Sequence, residues 1–229
     1  MKIMSDKIYI IIPAFNEENT IEKLILKLKK YFKFIVVVND GSTDHTKKIL
    51  ENLDITLINH SINLGQGGAI KTGVDYILKY TEADAIITFD ADGQHMIEDA
   101  IRFSQKILNT DKDIIFGSRF LGYEKNIPLI KRLLLRVACF ITNLLFSVKL
   151  TDTHNGLKAI KRNALTKLDI DIEGYAFETE IIMNISNKGI SYMELPTNVI
   201  YTEYSKSKGQ SIFNSIRIFE DIMIRLFRK

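Results

Sequence analysis

Asp90 and Asp92, two carboxylates one residue apart, follow an apolar run from Ala85 to Phe89. If the run is a strand that gives way to a loop, both side chains can approach one hard divalent cation. All-oxygen ligation suits Mg2+ or Mn2+, which keep waters and bind substrate phosphates. The same spacing is common in solvated turns, so the pair needs company before it means anything. Asp40 follows a second apolar run, Phe34 to Val38, and Pro13 to Glu17 follow a third, Lys7 to Ile12. Gly65-Gln66-Gly67-Gly68 precedes a helical pattern. It reads either as a phosphate cradle at a helix N-terminus or as a tight turn with close helix packing. It is neither a Walker loop nor a dinucleotide fingerprint, because the positions that define those motifs are not met.

Positioning these side chains requires a frame, and the hydrophobic periodicity describes one. Short apolar strands are predicted at 7–12, 34–38, 55–59, 85–89 and 113–117, with helical stripes between them. In the first helix Ile21, Leu24, Ile25 and Leu28 follow the i, i+3, i+4, i+7 rule, and Asn19 with Glu22 offers a capping box. Strand and helix alternating at this spacing, with nearly continuous apolar strands, predict an α/β fold with a mostly parallel sheet flanked by helices. Ligands of such sheets bind beyond the carboxyl ends of the strands, which is where the three polar clusters fall. After Gly117 the alternation fades, and 127–150 and 212–227 read as amphipathic or apolar helices. Val137 to Val148 is far shorter than the ~20 apolar residues of a membrane span, so no transmembrane helix is expected. The whole of 1–229 reads as a single domain with a helical C-terminal elaboration.

Composition removes several classes. The 229 residues are 46% hydrophobic and 26% charged, which excludes a disordered chain or a coiled-coil rod. A net charge of +3 gives no reason to expect nucleic acid. The basic excess is local: Lys125 to Lys149 holds five basic residues and no acidic one, interleaved with Leu, Ile and Phe, as in surfaces that meet anionic lipid. A lone cysteine, Cys139, forbids an internal disulfide and reads as a small buried hydrophobe. His45, His60, His95 and His154 show no zinc spacing. His95 follows the Asp pair and can line a site, whereas His45 and His60 are expected on exposed loops. No Gly-x-Ser-x-Gly elbow is present, which argues against an α/β-hydrolase. The N-terminus lacks a secretory leader pattern. A cytoplasmic location, including the cytoplasmic face of a membrane, is expected.

Taken together, six stretches resemble the inverting glycosyltransferases of family two, which have the GT-A fold. They are Ile12 to Glu17, Val37 to Asp44, Asn63 to Ala69, Asp90 to His95, Gly117 to Arg119 and Asp152 to Gly156, in the family's order. The branch they are most similar to contains dolichyl-phosphate mannose synthase and bacterial polyprenyl-phosphate glycosyltransferases. The resemblance implies a nucleotide-sugar-binding half at about 7–120 and an acceptor side at about 121–229. It implies that Pro13, Phe15 and Glu17 bound the nucleotide pocket and that Val38 and Asp40 contact base or ribose. Asp90, Ala91, Asp92 and Gln94 would hold metal and diphosphate, with Asp90 and Asp92 as the metal ligands. Arg119 and Arg132 would be cationic partners for phosphate or acceptor. The sequence departs from the pattern where Asn39 precedes Asp40 in place of a second acid, and where Phe15 replaces a phenol. The C-terminal Arg-containing lid becomes Tyr204 to Ser211, in which Lys206 and Lys208 can clamp a diphosphate.

The expected reaction is metal-dependent, inverting transfer of a sugar from a UDP- or GDP-sugar to a polyprenyl phosphate or a glycan. Asp92 would be central to stabilising the leaving diphosphate. A hydroxyl acceptor needs a carboxylate within ~3 Å to take its proton, and Asp152 and Glu178 are the candidates; a lipid phosphate needs none. Two other readings use the same residues. A sugar nucleotidyltransferase would normally carry a Gly-rich, basic loop after the first strand, where this chain has Pro13 to Glu17. A non-catalytic nucleotide-binding regulator would have no use for the full set of acids.

Overall fold

A computed structural model describes residues 7–122, 129–168 and 177–200. Along the chain run β1 (Ile8–Ala14), α1 (Ile21–Leu28), β2 (Phe34–Asn39), α2 (Thr46–Glu51), β3 (Thr56–Asn59), α3 (Gly65–Tyr80) and β4 (Ala85–Thr88). Then follow α4 (Ile97–Leu108), β5 (Ile114–Ser118), α5 (Leu129–Phe146), β6 (Lys158–Lys161), α6 (Arg162–Leu165), α7 (Phe177–Lys188) and β7 (Tyr192–Pro196). The described strands form one seven-stranded sheet in the order β3-β2-β1-β4-β6-β5-β7. Every pairing is parallel except those of β6, which runs against both β4 and β5.

Because strand side chains alternate between faces, the central strands feed two cores at once. Ile8, Ile10, Ile12 and Ala14 of β1 pack with the buried sides of α1, α2 and α4. Ile11, between them, packs with α3, α6 and α7 on the other face. This two-sided burial explains why the strands read as unbroken apolar runs. In α1 the buried residues are Ile21, Leu24, Ile25 and Leu28, as the stripe predicts. Its start differs from expectation: Thr20, not Asn19, is the N-cap, without a side-chain cap bond. The Thr20 and Ile21 amides instead donate to the Glu17 carbonyl, each at 3.0 Å. Gly73 lets α3 lie against β1, where a Cβ would come 2.7 Å from Ile11 Cγ2.

The second half contains more sheet than its sequence suggests. Strands β6 and β7 join the sheet there, beside the helices α5, α6 and α7. Lysines at both ends of β6 break its apolar pattern, and β7 is half-buried along its length. The helix expected within 127–150 is α5; the one at 212–227 lies outside the described residues. Asn143 pins α5 to the following chain: its Nδ2 donates to the Leu150 carbonyl at 2.7 Å and its Oδ1 accepts from the Leu150 amide at 3.1 Å. The outer face of α5 leaves Leu129, Ile130, Leu133, Phe140 and Leu144 all exposed by 65% or more. No described helix is long and apolar enough to cross a membrane. Cys139 is buried, as expected, and burial pushes its thiol up to about 11.

Candidate active site

The carboxyl ends of β1, β2 and β4 lie side by side, and the loops that leave them are stitched together. Asn16, at positive φ, donates its amide to Ser42 Oγ at 3.0 Å and accepts from the Thr43 amide at 2.8 Å. The Asp40 amide donates to the Ala14 carbonyl at 2.8 Å. Asp40 itself is buried. Its Oδ1 meets His60 Nδ1 at 2.7 Å and accepts from the Leu64 amide at 2.9 Å, while Oδ2 accepts from the Gly65 amide at 2.8 Å. The Asp40 carboxylate therefore occupies the start of α3. This decides between the two readings of the glycine cluster: it is a tight turn, and its leading amides already hold an anion, the protein's own. His60, expected on an exposed loop, is a half-buried link between Asp40 and Thr72.

The next residue along α3 carries the connection to the acidic pair. Gln66 Nε2 donates to Asp90 Oδ1 at 3.0 Å, and His95 Nε2 lies 3.0 Å from Asp90 Oδ2. Burial works to raise the Asp90 pKa, but His95, through its hydrogen bond and its charge, and then Lys158 and Arg119 outweigh it and hold the group below its ordinary value. Asp92 goes the other way. Burial, then repulsion from Asp90, push it up to about 6, against the hydrogen bond from the Gln94 amide. Gln94 folds back on Asp92, donating its amide at 2.9 Å and Nε2 at 2.6 Å. His95 is buried, and its Nδ1 has no hydrogen-bond partner. Val199 bridges to His95, and the Ile200 amide donates to the Gln94 carbonyl at 2.9 Å, so the chain after β7 returns to this turn.

Reversed β6 brings the second half of the chain to the same rim. Thr88 Oγ1 donates to the Gly156 carbonyl at 2.6 Å. Gly156 lies so close to the acidic turn that a Cβ there would be 2.1 Å from Asp90 Oδ2. Upstream, Arg119 grips Asp152: Nε reaches Oδ2 at 2.7 Å, Nη2 reaches Oδ1 at 2.8 Å, and the Arg119 amide adds a third donor at 3.0 Å. Burial alone would raise the Asp152 pKa; the Arg119 charge and these hydrogen bonds override it and lower it. Glu178, in the first turn of α7, forms an ion pair with Lys158. Burial leaves the Glu178 pKa raised, with the Lys158 charge opposing. His154 is neutral in ordinary buffers because burial lowers it to about 4.

The structure thus gathers Glu17, Asp40, Asp90, Asp92, Gln94, Arg119, Asp152 and Glu178 around the ends of adjacent strands. Two expected contact residues do not present their side chains there. Val38 is fully buried with Ala69 and Ile70, and Ala91 is buried in the opposite core. Pro13 is half-buried and Phe15 exposed at the end of β1. Arg132 lies in the first turn of α5, next to the undescribed 123–128. Lys206 and Lys208 lie outside the described residues. A groove of about 730 Å3 opens between α1 and the acidic turn, with Asp92, His95 and Ile97 on one wall and Lys23, Lys27 and Lys30 on the other. Sequence reasoning passed over Gln66, His60 and Lys158. Gln66 sat inside a glycine cluster read for its backbone, and Lys158 stood in a strand that was not anticipated.

The sheet is mostly parallel with one reversed strand, is flanked by helices and gathers acids at its carboxyl rim. The model of glycosyl transferase family 2 matches residues 9–169, and the chain belongs to that family. It is 34% identical over 244 residues to the UDP-N-acetylglucosamine–dolichyl-phosphate N-acetylglucosaminyltransferase of Methanococcus voltae, covering 96% of this chain and 97% of that one. It is 27% identical to the polyprenol monophosphomannose synthase of Mycolicibacterium smegmatis, covering 89% and 82%. Among solved structures, glucosyl-3-phosphoglycerate synthase from Mycobacterium tuberculosis, in complex with Mn2+, uridine diphosphate and phosphoglyceric acid, superposes with a TM-score of 0.70. That match covers 96% of this chain and 78% of that one at 16% identity, a likeness of fold.

Proposed function

We propose that the chain transfers a sugar from a UDP- or GDP-sugar to a polyprenyl phosphate, with inversion at the anomeric carbon and with a divalent cation at Asp90 and Asp92. The observation that carries the choice of acceptor is the state of the two candidate bases. Asp152 is locked to Arg119, and Glu178 is paired with Lys158. Neither carboxylate is free to take a proton from a sugar hydroxyl. A phosphate acceptor arrives already ionised and needs no base, so its oxygen can displace the leaving diphosphate directly, which inverts the centre. The relatives named for dolichyl phosphate and polyprenol support the same acceptor class.

The residues at the rim fit a cation. Among the described residues no group of three or more His, Cys, Asp or Glu is arranged to enclose one. Mg2+ and Mn2+ do not need such a cage, since one or two carboxylates suffice when water and substrate phosphates fill the other positions. Burial and the Asp90 charge raise the Asp92 pKa to about 6, and a cation beside the pair would relieve that repulsion. Asp90 and Asp92 would hold the ion, which when bound supplies Lewis-acid neutralisation of the diphosphate charge. His95 and Gln66 keep Asp90 oriented. Pro13, Phe15 and Glu17 border the space for the nucleoside. Arg119, already committed to Asp152, acts on the acceptor side as the positive end of a fixed dipole.

Separate incubations with UDP- and GDP-sugars, Mn2+ and a polyprenyl phosphate test the reading. Nucleoside diphosphate should appear together with a glycosylated lipid, and a chelator should stop both. Transfer to glycan hydroxyls in place of the lipid would overturn the acceptor assignment.

Such an acceptor resides in a bilayer, and α5 suits an interfacial position. Its exposed Leu129, Ile130, Leu133, Phe140 and Leu144 are apolar, and Arg132 and Arg136 share the helix. The protein is expected to float with vesicles containing anionic lipid at low salt and to be released in part as salt screens the charges. Leu133→Glu with Phe140→Glu should abolish flotation; if the double variant floats as wild type, α5 is not the contact.

A further inference from the structure

Lys158 is fully buried in the middle of the sheet. It stands directly opposite Thr88 on β4 and Phe116 on β5, so its side chain shares their face. Asp90 is two residues beyond Thr88 and, by the period of a strand, leaves the sheet on that side as well. The ammonium donates to the Asn155 carbonyl at 2.5 Å, pairs with Glu178 and lies 5.9 Å from the Phe116 ring centre. Its charge acts on Asp90, Glu178 and His154. Gly156, two residues before it in the chain, lies against the Asp90 carboxylate. A buried ion pair contributes little to stability compared with well-packed apolar residues. On the face that Lys158 shares, Phe116 and Ile160 belong to an apolar core against which a methionine can pack.

We propose that Lys158 is a positioning residue: a fixed cation beneath the rim that limits how much negative charge Asp90, Asp92 and Glu178 together present to a divalent ion and to the donor diphosphate. It touches neither substrate nor metal; it acts through the field it sets. The inference rests on the cation-and-diphosphate reading above. Removing the charge makes the rim more negative. Divalent cations then bind more tightly, whereas a nucleoside diphosphate offered without metal binds more weakly. Loosening the structure would weaken both, so the opposed signs separate a charge effect from damage.

The test compares Glu178→Gln with Glu178→Gln/Lys158→Met, which avoids stranding a buried carboxylate without its partner. Mn2+ and uridine or guanosine diphosphate are titrated separately by calorimetry into each full-length protein. Relative to the single variant, the double variant should bind Mn2+ about tenfold more tightly, a magnitude suited to a unit charge acting across roughly ten ångströms of protein at an effective dielectric constant of about 20. Its metal-free affinity for the diphosphate should fall by a similar factor. Equal constants in the two proteins, or a parallel weakening, would overturn the proposal. Should the double variant fail to fold, Lys158→Arg and Glu178→Gln replace it. The arginine variant, which keeps the charge, should bind Mn2+ as wild type does, and Glu178→Gln should bind it more weakly; the reverse of either result rejects the role. Wild-type protein that binds neither Mn2+ nor nucleotide would instead reject the underlying site.

Discussion

Asp92→Asn is expected to lower the rate of sugar transfer by about 100- to 1,000-fold, the usual consequence of deleting one preorganised electrostatic stabiliser of a leaving group. Its thermal stability without metal should equal or exceed that of wild type at neutral pH. The reason lies in the sign of the pKa shift. Burial and the neighbouring Asp90 raise Asp92 to about 6, well above the ordinary aspartate range. A raised carboxyl contributes stability below its unfolded value and loses it as pH climbs through the folded value. At pH 7 the metal-free wild type therefore carries an unrelieved charge that asparagine lacks. Mn2+ should reverse the order: the rise in melting temperature it produces should grow from pH 5 to pH 7 in wild type and be small and flat in Asp92→Asn. A metal-induced rise of the same size in both proteins, or near-normal transfer by the variant, would remove Asp92 from the site.

The second large effect concerns Asp152. Its carboxylate accepts two bonds from the Arg119 side chain, with one from the Arg119 amide and one from the His154 amide at 3.2 Å. Asp152→Ala strips the Arg119 guanidinium of its carboxylate and leaves it the His154 carbonyl at 2.8 Å; breaking a buried ion pair typically destabilises by about 3–5 kcal/mol. For a chain of this length that corresponds to a fall of about 10 °C in the midpoint. Asp152→Asn, which retains the shape but not the charge, should fall between. The pair's contribution is present above the ordinary carboxyl value and disappears as acid drives pH through the lower folded value, so wild type should show an acid-induced loss of stability that Asp152→Ala lacks. Scanning calorimetry across pH 2 to 7 checks both. Lost transfer with an unchanged melting point would return Asp152 to the role of general base.

How far the sequence reached can be seen in those two aspartates. Asp90 and Asp92 were legible because an apolar strand must end where polarity begins, and parallel strands end together. Local pattern therefore sufficed to bring Pro13, Asp40 and Asp92 to one rim. Asp152 was found only through a motif, and its partner could not be inferred, because Arg119 and Asp152 are 33 residues apart and meet across two strand ends. The same holds for the Asp40 carboxylate and the amides of Leu64 and Gly65. A carboxylate and a glycine turn each look like ligand sites in one dimension, and only the fold shows that they satisfy each other. Strand β6 was missed for a related reason. Its Lys158 contradicts every expectation for a central strand until Glu178, from α7, is placed beside it.

The direction of β6 has a practical bearing on redesign. A strand inserted backwards between β4 and β5 interleaves early and late parts of the chain within one ladder. Cutting near residue 120 to graft a different second half would strip β4 and β5 of their shared neighbour and open the middle of the sheet. Chimeras with altered specificity should therefore keep β6 and the turn leading into it from the parent, and exchange sequence only at the exposed helix beyond β5.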